Sequence, residues 1–240
     1  MENKIRIAKY IANAGYASRR EAEKLIEEGK VSVNGKIISE FAIFVSSEDE
    51  ILLNGKKISD NNSEKRLWLF HKPKGIVCTR KDELGRKTIY DLMPPEFKNH
   101  HYIGRLDINS EGLLLITNNA EVKQFYEHPS NNIKRVYEAK VYGELWGDKL
   151  NKLFSKEFRQ YRIKDAESGK EMIYFAKIEP IKISNDSKNH WVRFTLKEGK
   201  NREIRKICEH FGLTVSKLKR ISFGEFFLGQ IKLGAIIEVE

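Results

Sequence analysis

The stretch Gly104-Arg105-Leu106-Asp107-Ile108-Asn109-Ser110-Glu111-Gly112-Leu113-Leu114-Leu115-Ile116 sets a carboxylate and a guanidinium against the most apolar run in the chain. An apolar strand before it and another after it would enclose a polar turn. Alternation then puts Arg105 and Asp107 on one face and Leu106 on the other. A carboxylate held at the lip of a sheet beside cations can act as a nucleophile or a base. The same residues also fit a plainer role, in which Asp107 caps the turn and pairs with Arg105.

Other chemistry is harder to build from this chain. His100-His101 is a tempting metal pair, but neighbours on a strand face opposite ways and no third ligand stands at a suitable spacing, so no metal site is expected. Gly199-Lys200 lacks the earlier glycine and following Ser/Thr of a phosphate-binding loop, and no G-x-G-x-x-G occurs, so no nucleotide or dinucleotide cofactor is expected. Cys78 and Cys208 lie too far apart in sequence for a redox pair or disulfide framework and fit a reducing cytoplasm. Cys208-Glu209-His210 reads as part of a helix packed on the core, and Trp68, Trp146 and Trp191 read as core residues.

Charge points to a partner. The chain has 240 residues and a net charge of +10, which favours polyanions only modestly by itself. Between residues 188 and 220, however, ten basic residues face three acidic ones, a clustering suited to a phosphate backbone. No apolar run approaches the roughly 18 residues that span a bilayer, and no apolar segment follows Met1-Glu2-Asn3-Lys4, which argues against a secretory signal.

The elements that must position these groups fall into two parts. Ile7, Ile11 and Ala14 recur at helical spacing before Gly15, a residue suited to a left-handed helix end. Ser18 and Glu21 form a capping box for a second helix with Ala22, Leu25 and Ile26 on its apolar face and Gly29 at its end. Arg19, Arg20 and Lys24 lie on or near one polar side of it. Asn34-Gly35 and Asn54-Gly55, each between alternating residues, predict two hairpins. Residues 59–65 are polar and aperiodic, a linker at 61–65 between domains of 1–60 and 66–240. Beyond it, Leu67-Trp68-Leu69-Phe70 predicts a buried strand stopped by His71-Lys72-Pro73-Lys74-Gly75. Strands are expected at 136–141, 190–196 and 236–239, and helices at 121–127, 149–154 and 202–211. Without regular βαβ alternation this is an α+β domain, with a mixed, mainly antiparallel sheet flanked by helices and a small α/β domain in front.

Residues 5–38, with Ala17-Ser18-Arg19-Arg20-Glu21-Ala22 and Val31-Ser32-Val33-Asn34-Gly35, resemble the small RNA-binding domain first described in ribosomal protein S-four. The 104–118 stretch resembles the Gly-Arg-Leu-Asp signature of RNA pseudouridine synthases, in the subfamily that modifies bacterial ribosomal RNA. His71-Lys72-Pro73-Lys74-Gly75, Arg135-Val136-Tyr137-Glu138-Ala139 and Glu198-Gly199-Lys200-Asn201-Arg202-Glu203-Ile204-Arg205-Lys206 follow the same pattern in order. Asn109-Ser110 is a mild departure from it. Residues 217–224 look more like the large-subunit enzymes. The resemblance implies that Asp107 is the catalytic aspartate, Arg205 its ion-pair partner, Tyr137 the aromatic packed on the target base and Ile204 an apolar wall of the pocket. Arg105, Lys200, Arg202, Arg19, Arg20 and Lys24 would then contact the RNA. It further implies a monomeric cytoplasmic enzyme without cofactor that acts on ribosomal RNA or a pre-ribosomal particle. Whether Asp107 attacks C1′, attacks the base or helps remove a ribose proton stays open. A non-catalytic ribosome-assembly protein would use the same basic surfaces, with Asp107 merely paired to Arg205. A glycosidase would usually need a second carboxylate roughly 5 to 10 Å away, and the Asp107 segment offers no evident one.

Overall fold

The computed structural model describes residues 4–58, 64–164, 169–184 and 186–240. Most of the expected linker lies outside these residues, as does the start of the chain at Met1 to Asn3. Two compact units emerge: Met1–Leu67 with Pro94–His101 and Thr117–Lys123, and Trp68–Met93 with Tyr102–Ile116 and Gln124–Glu240.

In the first unit, β1 (Ile5–Arg6) leads into α1 (Ile7–Asn13) and α2 (Arg19–Glu27), followed by β2 (Val31–Val33), β3 (Lys36–Ile37), β4 (Phe44–Val45), β5 (Ile51–Leu53) and β6 (Lys56–Ile58). The expected capping box is present: Ser18 Oγ accepts from the Glu21 amide at 3.2 Å, and Glu21 Oε2 accepts from the Ser18 amide at 2.8 Å. Such a cap stabilises a helix by about 1 kcal/mol. Asn34 and Gly35, like Asn54 and Gly55, all have positive φ, so both Asn-Gly hairpins close as expected and the sheet runs β3-β2-β5-β6. Ile7, Ile11, Ala22, Ile26, Val31, Val45, Ile51 and Ile58 form a shared core.

The larger sheet is built from β7 (Leu67–Lys72), β8 (His101–Ile103), β9 (Glu111–Thr117), β10 (Arg135–Tyr142), β11 (Arg159–Lys164), β12 (Glu171–Lys182), β13 (Asn189–Leu196), β14 (Thr214–Phe223), β15 (Phe226–Phe227) and β16 (Ile236–Glu238). Its order is β11-β12-β13-β10-β14-β9-β7-β16, with β15 beside β14 and β8 beside β9. The pairs β11·β12, β12·β13, β13·β10 and β10·β14 are antiparallel, while β14 and β9 run parallel. The sheet is therefore mixed, as the α+β reading expects. Helices α3 (Ala120–Glu127), α4 (Asp148–Leu153) and α5 (Glu203–His210) complete the fold. Along β10 the inward residues Arg135, Tyr137, Ala139 and Val141 are buried, and Tyr161 and Phe211 meet edge to face where α5 ends.

Three expectations need correction. The strand at Leu67 does not stop at Phe70 but runs through His71 and Lys72. Inside, His71 Nδ1 meets the Ile231 carbonyl at 2.8 Å, leaving Nε2 buried without a partner among the described residues, and Lys72 Nζ donates to three carbonyls; Pro73 then ends the pairing. The polar turn at 104–110 forms between two strands as expected, with Leu106 buried and Arg105 exposed. Arg202 precedes α5 rather than joining it, with φ +51°. Of the tryptophans only Trp68 is buried: Trp146 is 49 % exposed and Trp191 half-buried, because His190 and Val192 take the inward positions and leave Trp191 the opposite parity.

Candidate active site

Asp107 stands on the loop between β8 and β9, and backbone contacts pin that loop from several directions. Lys72 is fully buried at the end of β7, and its ammonium donates to the carbonyls of Pro73 at 2.9 Å, Asp107 at 3.3 Å and Ser110 at 2.9 Å. The Gly75 amide donates to the Ile108 carbonyl at 2.7 Å, and the Leu106 amide donates to Cys78 Sγ at 3.4 Å. From β14, Arg220 donates through Nε to the Leu113 carbonyl at 2.6 Å and through Nη1 to the Arg105 carbonyl at 3.4 Å. A loop with this many anchored groups holds its carboxylate in one geometry before any substrate arrives.

Three cations surround this loop, and each donates to its backbone carbonyls. Besides Lys72 and Arg220, Arg205 on α5 sends Nη2 to the Asn109 carbonyl at 3.2 Å and Nη1 to the Val215 carbonyl at 3.1 Å. Its Nε faces Asp107 Oδ2 at 3.9 Å, an ion pair without a hydrogen bond, and that Nε is buried with no acceptor. Burial and the nearby Arg202 charge lower the Arg205 pKa, and Asp107 opposes the change. Burial likewise lowers that of Lys72 and raises that of Cys78. The arrangement is a partly exposed carboxylate on a loop that three cations anchor.

Tyr137 joins through Arg220. Its ring is buried on β10 directly across from Arg220, whose Nη1 lies 3.4 Å from the Tyr137 hydroxyl and whose guanidinium sits 5.9 Å from the ring centroid. Arg220 is 1 % exposed, stacks 4.9 Å over Phe223, and keeps Nη2 buried without a partner. Beneath it Gly112 has φ +118°, and a Cβ there would overlap the Arg220 backbone, so no side chain fits where β9 meets β14.

The sequence-expected residues thus separate. Asp107 and Arg205 are brought together, Tyr137 is tied to the Asp107 loop by way of Arg220, and Ile204 is buried beside Arg205 on α5. Among the described residues Arg105 forms no ion pair with Asp107; its side chain is exposed. Arg202 is exposed too. Lys200 is not free to meet a phosphate: its ammonium donates to the Ile173 carbonyl at 2.5 Å and pairs with Glu198 at 2.8 Å, because the loop before α5 folds over it. Arg19, Arg20 and Lys24 are exposed on α2, in the other unit. Cys208 is buried in α5 as expected, with its thiol pushed up to about 12 by burial. Sequence reasoning missed Lys72 and Arg220 as parts of the site, though each lay inside a segment it had singled out. Among the described residues no three His, Cys, Asp or Glu side chains converge on a point that could hold a metal ion, and no helix is long and apolar enough to cross a membrane.

Fold and site together define an RNA-modifying enzyme with a separate RNA-binding module, and comparison with known proteins names the family. Residues 66–210 match the RNA pseudouridylate synthase family and residues 5–51 the S4 domain; the chain belongs to the RNA pseudouridylate synthases. It is 42 % identical to an uncharacterized RNA pseudouridine synthase of Rickettsia felis, across 98 % of this chain and 96 % of that one. It is also 37 % identical to the ribosomal large subunit pseudouridine synthase B of Bacillus subtilis, over 90 % of this chain and 84 % of the relative. A crystal structure of a pseudouridylate synthase shares the fold, with TM-score 0.63 and 23 % identity across 98 % of this chain and 96 % of that chain.

Proposed function

We propose that this enzyme isomerises a specific uridine to pseudouridine in large-subunit ribosomal RNA, as a monomer in the cytoplasm and without a cofactor, with residues 1–60 as RNA-binding domain and residues 66–240 as catalytic domain. The observation that carries the reading is Asp107 itself, partly exposed on a loop anchored by Lys72, Arg205 and Arg220. The relatives named for ribosomal large-subunit RNA support the substrate.

The reaction breaks the glycosidic C–N bond, turns the uracil without losing it, and joins C5 to C1′. Asp107 supplies the carboxylate for this sequence. Arg205 positions it, its Nε facing Oδ2 at 3.9 Å without another partner among the described residues. Tyr137 and Ile204 form the apolar wall against which the detached base stays. The target leaves its stack to reach the carboxylate, and contacts from exposed Arg105 and Arg202, and from Arg19, Arg20 and Lys24 on α2, offset that cost. Lys200 acts indirectly, by closing the loop that starts α5.

Asp107→Asn keeps the shape and removes the charge. It should abolish pseudouridine formation in ribosomal RNA from cells lacking the native protein while RNA affinity stays nearly unchanged. Native turnover in the variant would remove Asp107 from this role and favour a ribosome-assembly protein that only binds RNA.

A further inference from the structure

Across β12, β13, β10 and β14 the sheet has one covered face and one open one, while β7 and β9 are buried on both faces. Tyr137, Ala139, Tyr161, Tyr174, Val192 and Phe194 are buried on the covered side. On the other side, register places residues of successive strands in rows, since partners directly opposite in antiparallel strands share a face.

The row at Glu138 neutralises itself. Glu138 pairs with Arg193 at 3.0 Å, Lys219 lies opposite Glu138 and meets Glu111 at 3.7 Å, and Glu179 lies opposite Arg193 and meets Lys177 at 3.0 Å. The next row is different: Lys217 on β14 stands opposite Lys140 on β10, Lys140 opposite Trp191 on β13, and Trp191 pairs with exposed Lys182 on β12 across a bulge between Pro180 and Lys182. None of these three lysines has a carboxylate partner among the described residues. Like charges directly opposite destabilise a sheet, yet Lys140 and Lys217 are set face to face beside a half-buried indole. Tyr142, 51 % exposed and two residues beyond Lys140, adds a second aromatic surface on the same face.

We infer that the row Lys217, Lys140, Trp191 and Lys182 is a second RNA-binding platform, on the face of the sheet opposite Tyr137, where a single-stranded segment of the substrate RNA stacks on Trp191 while the lysines hold its phosphates. Four strands at about 4.8 Å spacing make the row about 14 Å wide, room for a short run of nucleotides. Lysines flanking an aromatic ring on an open sheet supply both of the interactions that sequence-tolerant single-strand binding needs. An acidic protein would satisfy the lysines but has no need of the indole, and the RNA is the polyanion that this family's enzyme already meets. The platform rests on that RNA substrate, but not on Asp107 chemistry.

The test uses the full chain, a short oligouridylate as probe, and tryptophan fluorescence. RNA should quench the native protein, and Trp191→Phe should lose that part of the quench. Replacing Lys140, Lys182 and Lys217 together by Gln should lower the slope of log affinity against log salt by about two, given roughly 0.7 per phosphate contact on single strands. The corresponding triple Arg variant, which keeps the charge, should restore it. An unchanged quench in Trp191→Phe, or an unchanged salt slope in a Gln variant that melts like the native protein, overturns the platform. Loss of ribosomal-particle binding with native oligouridylate affinity and slope overturns it in favour of an acidic protein partner. Absence of isomerisation in the native enzyme would instead remove the catalytic reading and leave the oligouridylate result standing.

Discussion

Arg220 and Tyr137 face each other across β14 and β10, the guanidinium Nη1 lying 3.4 Å from the phenol oxygen. A hydroxyl that accepts from a cation keeps its own proton for another acceptor, so Arg220 directs the Tyr137 O–H away from itself. The same guanidinium holds the Arg105 and Leu113 carbonyls, which couples the tyrosine to the Asp107 loop.

Arg220→Met should therefore cost stability, on the order of 1–3 kcal/mol for each buried acceptor left unpaired, and should lower the single-turnover rate more than RNA affinity. Arg220→Lys keeps charge but not the fork, and should fall between. A double-mutant cycle with Tyr137→Phe measures the link: coupling of about 0.5 kcal/mol or more in the rate is expected, and strict additivity would mean that the two residues act separately.

Arg205 meets Asp107 differently from the two-pronged pairing a carboxylate prefers, since its two Nη groups are spent on the Val215 and Asn109 carbonyls and only Nε faces the carboxylate. Arg205→Lys should slow the chemical step in a folded protein, since a lysine cannot hold both anchors and aim a donor. Arg205→Met removes both carbonyl anchors and the donor that faces the carboxylate, and should lower the single-turnover rate further while RNA affinity stays nearly native. Single-turnover rate beside melting curves decides the matter; a folded Arg205→Met enzyme at native rate would sink the assignment.

Glu203, at the start of α5 next to Ile204 and Arg205, has its carboxyl pushed up to about 8, chiefly by burial and then by Glu198. The folded protein thus holds a proton that the unfolded chain gives up near 4.5. Stability from this group is complete below pH 4.5 and is lost as pH rises toward about 8, with a slope of at most about 1.4 kcal/mol per unit. Glu203→Gln keeps the neutral amide and should flatten that decline. Chemical denaturation of both proteins between pH 5 and 9 would show it, and parallel curves would mean that Glu203 titrates normally.

On α2, replacing Arg19, Arg20 and Lys24 by Ala should weaken binding of ribosomal RNA and reduce its salt dependence by up to about three charge units. The residues are exposed, so melting should be unaffected. A native slope would assign this helix to solvent.

What could be read directly from the chain was local. The capping box of Ser18 and Glu21 and the hairpins at Asn34-Gly35 and Asn54-Gly55 depend on residues within a few positions of one another, and each formed as expected. Lys72 and Arg220 were not legible in the same way. A lysine or arginine reads as surface until the carbonyls that receive it are placed, and those lie 38 and 107 residues away. The run of basic residues from 188 to 220 pointed to the RNA partner but does not form one patch: strand parity and burial divide it among the open face, the loop before α5 and the interior. Strands β11 and β12 were missed because Arg162, Lys164, Glu171, Lys177 and Glu179 give their exposed positions the polarity of a loop.

The parallel contact at Gly112 and Arg220 also dictates an order of events during folding. Joining partners so distant along the chain costs loop-closure entropy that only later contacts offset, so such pairings form late. The Asp107 segment is made early in synthesis and must wait for β14 before the Arg105 and Leu113 carbonyls gain their donor. A nascent chain can acquire its N-terminal hairpins and a folded RNA-binding module well before it acquires a working catalyst, and the two abilities mature at different times in the life of the same molecule.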